Sequence, residues 1–128
     1  MAAQPQPVDS REDGENDYVD PSSMKAVFGF EDREMFGNMM KTFVETQATD
    51  VESLKNAIGD KNVGDSASLA HKLKSSARTI GAGPLADLCE EIESFGKGGS
   101  FPHTRDLPKE LDVQFHNVRA FVEEYTTA

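Results

Sequence analysis

Four stretches of this chain place apolar residues every three or four positions, a period that fits one face of a helix and not the alternation of a strand. Phe36, Met40, Phe43, Val51, Leu54 and Ile58 draw the first stripe, and Ala70, Leu73, Ala77 and Ile80 the second. Leu85, Leu88, Ile92 and Phe95 form the third; Leu111, Phe115, Val118, Val122 and Tyr125 form the fourth. Breakers separate them: Gly59, Gly64, the run Gly81-Ala82-Gly83-Pro84, and GKGGSFP at 96–102. Gly59 is expected to close the first helix, Asp65 or Ser66 to cap the second, and Pro84 to open the third. The fourth should run from about Asp106 to Tyr125. Four amphipathic helices joined by short polar loops predict an all-α fold, an antiparallel four-helix bundle. A short additional helix is expected at its N-terminal end, starting at Pro21 behind an Asp20 cap, with Met24, Val27 and Phe28 on its apolar side.

The 128 residues suit one domain. Residues 1–20 hold six acids against one Arg, with two prolines and few apolar residues. Such a stretch cannot repay the entropy of ordering, so a disordered acidic tail is expected over 1–19 and the bundle over 20–128. The whole chain carries a formal net charge of -10, which makes it a poor general ligand for nucleic acid or anionic membrane. No segment approaches the roughly 20 apolar residues that a membrane span needs. The first ten residues have neither the cationic start nor the apolar run of a secretory signal. Cytoplasm is the expected compartment, and the Met start with its acidic tail favours a free-standing protein.

Cys89 is the single cysteine, which excludes an internal disulfide and a Cys-based zinc site. Beside the core face of its helix, it is expected to be a small buried apolar residue. The five Met residues read as packing filler. His103 and His116 have no partner at metal-ligand spacing, and there is no glycine-rich phosphate loop. The chain is thus expected to carry no metal and no cofactor of its own. It is expected to be a monomer, because a bundle of this kind can close its own core.

The residues with chemical potential cluster on the second stripe's helix, in Ala70-His71-Lys72-Leu73-Lys74-Ser75-Ser76-Ala77-Arg78. His71 lies about 100° round the helix from Ala70, beside the apolar seam and within reach of solvent. Lys74, Ser75 and Arg78 follow at helical spacings on the same face. Ser66 to Ala86 contains no acid, while Lys72, Lys74 and Arg78 supply three cations. The sequence therefore predicts a positive strip inside an acidic protein, suited to holding an anion beside an imidazole. Nearby cations favour the neutral ring, whose free nitrogen can attack a phosphoryl group while ammonium groups offset charge on its oxygens.

Residues 70–93, AHKLKSSARTIGAGPLADLCEEIE, resemble the signature of histidine-containing phosphotransfer (HPt) domains. Ala70, His71, Leu73, Lys74, Ser76 or Ser75, Ile80, Gly81, Ala82, Leu85, Cys89 and Glu93 stand in register with that pattern. A looser likeness runs upstream through Asp20-Pro21 to Phe28 and residues 30–45. The resemblance implies a four-helix bundle that accepts a phosphoryl group on His71 from a receiver-domain phosphoaspartate and passes it to another receiver. The implied partners are receiver domains of a hybrid histidine kinase or of response regulators, with Mg²⁺ held by the receiver. By the same resemblance Lys74 and Lys72 lie beside the phosphoryl group, and Glu93 orients the imidazole or a bound water. Ser75 departs from the family's usual Gly; its hydroxyl is expected to donate to a ring nitrogen or back-bond to the His71 carbonyl. Arg78, Phe36 and Met39 are expected at the docking face, with Phe36 or Met39 as exposed apolar contacts. Such a protein is a phosphocarrier without autonomous turnover.

Three other readings compete. A non-phosphorylated module would dock receivers through the same surface. The dimerisation domain of a histidine kinase also carries a helical His, but needs an ATP-binding domain for which 128 residues leave no room. A metal-binding bundle using His71 and Glu93 lacks the repeated Glu-x-x-His spacing of such sites.

Overall fold

A computed structural model describes Val19 and residues 32–127. Among these residues there are four helices and no strand: α1 (Arg33–Gly59), α2 (Val63–Thr79), α3 (Gly83–Gly98) and α4 (Leu107–Thr127). Each packs on its two neighbours, α1 on α2 and α4, α3 on α2 and α4, which makes the predicted four-helix bundle. All four apolar stripes point inward. Met40, Leu54, Ala70, Leu73, Leu85, Ile92, Leu111 and Val118 lose essentially all contact with water, while Phe95 and Tyr125 close the edges. Phe43 and Phe115 meet across α1 and α4 with ring centroids 6.4 Å apart. Cys89 is fully buried among them, as expected.

The short helix expected at Pro21 and most of the acidic tail lie outside the described residues. Val19, the last residue assigned to the tail, is buried in the core, so the packed unit takes in that residue as well.

The caps differ from expectation at one place. α2 opens earlier than Asp65 or Ser66: Asn62 is its N-cap, and the Asn62 side chain accepts from the Asp65 N–H at 3.1 Å. Gly64 therefore sits inside the helix. Its cost of about 1 kcal/mol against alanine is offset by a cap of similar worth. Asp32 and Asp106 open α1 and α4 in the same manner. Three helices end alike. Lys61, Gly81 and Gly99 take positive φ of 58°, 81° and 92°, and the next N–H returns to the carbonyl five residues back: Asn62 to Ala57, Ala82 to Ala77, Ser100 to Phe95. α1 ends at Gly59 as expected, and Lys61 supplies the left-handed residue beyond it.

The α2–α3 hairpin is the most intimately packed pair. A Cβ on Gly96 would lie 2.7 Å from the Val63 carbonyl oxygen and 3.0 Å from the Ala67 Cβ. That close approach brings the face of α3 against the helix that carries His71.

Candidate functional site

His71 stands on α2 with its side chain 63% exposed. Ala70 on one side of it and Leu73 on the other are anchored in the core, so the backbone beneath the ring is held. Facing it from α3 is Glu93, one position beyond the stripe residue Ile92. The structure buries it, with the side chain 8% exposed. The reason lies in a second line on α3, formed by Ala86, Cys89, Glu93 and Gly96, all buried beside the main stripe. Small residues there let α2 come close, and the one long side chain in the line reaches out along the interface.

Glu93 is the centre of the site. Its Oε1 accepts from Lys74 Nζ at 2.7 Å, and its Oε2 lies 3.0 Å from His71 Nδ1 and 3.0 Å from Lys97 Nζ. The hydrogen bonds from Lys74, then Lys97, and then His71 pull its pKa down to about 2, well below the usual carboxylate range, against the opposing effect of burial. At neutral pH the carboxylate is ionised and can only accept. Nδ1 therefore carries the proton of the neutral imidazole, and the lone pair of that ring is on Nε2. Lys74 is itself only 15% exposed and tied to Glu93.

The positive strip predicted from the sequence is not an uncompensated one. Lys72 pairs with Asp50 of α1 at 3.5 Å, Lys74 with Glu93 at 2.7 Å, and Arg78 with Glu90 of α3 at 2.6 Å. The acid-free run holds along the chain, but neighbouring helices bring acids to each cation. Ser75 takes the second of its two expected roles, donating to the His71 carbonyl at 3.2 Å.

The docking residues need one correction. Phe36 is 2% exposed and belongs to the core, because the α1 stripe that defines the helix requires it inside. Met39, one position outside that stripe, is half-buried against the core edge. Lys97 was missed by sequence reasoning; the signal available was its position four residues after Glu93, the favourable order for a helical acid–base pair. His103 and His116 are exposed, and among the described residues no cluster of His, Cys, Asp or Glu is arranged to hold a metal ion. No described helix is long and apolar enough to cross a membrane.

The Hpt domain family model matches residues 38–121, which include His71, Lys74, Glu93 and Lys97. No curated protein matches the chain. Among solved structures, the chain is similar to the crystal structure of histidine-containing phosphotransfer protein B (HptB) from Pseudomonas aeruginosa PAO1. The TM-score is 0.71 at 22% sequence identity, covering 87% of this chain and 96% of that one. At that identity the likeness speaks for the fold, and the family match, spanning well over half of the chain, carries the assignment. The chain belongs to the Hpt domain family and is a histidine phosphotransfer protein of a phosphorelay, a carrier that works with receiver domains.

Proposed function

We propose that His71 is the phosphoacceptor and that Nε2 is its nucleophile. The observation that carries this reading is the 3.0 Å contact between Nδ1 and the buried carboxylate of Glu93, on a ring that otherwise faces solvent. The Nε2 lone pair attacks the phosphorus of a receiver phosphoaspartate. The new N–P bond forms as the acyl P–O bond breaks, and the aspartate leaves as a carboxylate. The ring becomes cationic, with its Nδ1 proton still held by Glu93, whose negative charge offsets it. The phosphoramidate keeps a high transfer potential, so the reverse step delivers the group to a second receiver aspartate.

Lys74 serves first as the anchor of Glu93 and adds positive potential beneath the phosphoryl group. Lys72 is exposed and paired only loosely with Asp50, so it is available to the phosphoryl oxygens. The receiver approaches over α1 and α2, with Met39 offering apolar contact and Arg78 and Ser75 at the margin. Mg²⁺ belongs to the receiver, and the carrier holds no metal or nucleotide and does not turn over alone. It acts as a cytoplasmic monomer, with an acidic tail over residues 1–18.

Transfer from radiolabelled phosphorylated receiver domains tests the assignment. Acid-labile, alkali-stable label on the wild type and none on His71→Gln is the expected result. A receiver that binds without labelling His71 would replace the carrier with a docking module.

A further inference from the structure

We propose that Lys97 is a positioning residue for the phosphoacceptor, acting on His71 through the Glu93 oxygen that the two side chains share. This rests on His71 being the phosphoacceptor, and it extends the site to the last turn of α3. Oε2 receives both Nδ1 of His71 and Nζ of Lys97, each at 3.0 Å. The two contacts in series leave the ammonium within about 6 Å of the ring nitrogen, close enough for a direct charge effect. Lys74 occupies the other oxygen.

The charges explain what the second lysine adds. A lone carboxylate beside Nδ1 would favour the imidazolium, in which both nitrogens are protonated and no lone pair is left to attack. Lys74 cancels the Glu93 charge. Lys97 sets a second cation on the same carboxylate, at the oxygen that faces the ring. The other charged groups around the ring cancel in pairs: Lys72 with Asp50 from α1, and Arg78 on α2 with Glu90 on α3. Lys97 is thus the cation that tips the balance among the described residues facing His71. With its side chain 70% exposed, it gives up little solvation in doing so.

A merely structural role is the alternative, since Lys97 also lies where a cation favours the C-terminal end of a helix dipole. Chemical phosphorylation by phosphoramidate separates the two, because this small donor bypasses any receiver. Nε2 attacks the phosphorus, the donor's P–N bond breaks, and ammonia leaves. The rate is followed against pH for wild type, Lys97→Met, Lys97→Arg and His71→Gln. Loss of the cation leaves Glu93 less offset, so more alkaline solution is needed to free Nε2. The acid limb of the Lys97→Met profile is expected to move up by about half a pH unit, a roughly threefold loss of rate on that limb. Lys97→Arg should restore the wild-type profile. A Lys97→Met profile that superimposes on wild type, with or without a lower melting temperature, overturns the inference. So does a shift that Lys97→Arg fails to reverse, since charge would not be its cause. Labelling of His71→Gln at the wild-type rate would instead overturn the phosphoacceptor assignment itself.

Discussion

Replacing Glu93 by Gln removes one charge from a position where three donors converge. The substitution keeps the shape, so its effect on stability reads the electrostatics of the site. In the folded chain the carboxyl is held near 2, against an ordinary value of 4.5. Taken in full, that depression is worth about 3 kcal/mol. His71 and Lys97 are mostly exposed, so solvent screens their share. Lys74, nearly covered, loses its counter-charge and pays a larger part. We expect Glu93→Gln to cost about 2 kcal/mol at neutral pH. A carboxyl whose pKa is depressed in the folded state stabilises the fold above its unfolded value, and that contribution fades as pH falls toward the folded one. Urea unfolding of both proteins from pH 7 down to 2 should therefore show a gap that holds above about 4.5 and closes by about 2. The Gln oxygen can still accept from Nδ1, so phosphorylation of His71 should survive. A gap under about 0.5 kcal/mol at pH 7, or one that persists undiminished at pH 2, would refute the reasoning.

Gly96→Ala should destabilise by about 1–3 kcal/mol, because the new methyl meets the Val63 carbonyl and Ala67 and must push α2 from α3; thermal or urea unfolding measures it, and an unchanged midpoint would mean that the hairpin has slack. Cys89, with burial pushing its thiol up to about 12, should resist alkylation at pH 8 in the native protein and react only on unfolding. Reaction at the rate of a free thiol would contradict its placement in the core.

Much of this molecule was legible in the order of its residues. The stripe residues are the core residues, since a period of three or four states directly which side of a helix turns inward. The short array from His71 to Glu93 identified the chemistry because it combines a nucleophile, cations and turn residues in one register. What stayed hidden depends on which helix lies beside which. Ser66 to Ala86 reads as purely cationic, yet Asp50, Glu90 and Glu93 approach it from two other helices. The burial of Glu93 was not legible, because the main stripe of α3 passes one position away at Ile92. Only the adjacent line of Ala86, Cys89 and Gly96 shows that this face also packs. Phe36 could not serve both as a stripe member and as a docking contact, and the core took it. Gly64 suggested a break, but a breaker beside a good cap does not end a helix.

The turn between α2 and α3 consists of Ile80, Gly81 and Ala82. In an antiparallel hairpin, residues at similar distances from the bend become neighbours, and His71 and Glu93 stand almost symmetrically about Gly81. The pairing of ring and carboxylate is thus a matter of chain length. One residue added to this turn would have to be absorbed by rotating α3 by about 100° or by sliding it about 1.5 Å. Rotation would carry Glu93 away from the ring with every side chain of the site still present. The number of residues in this turn is as much a part of the phosphotransfer chemistry as the identity of the residues that perform it.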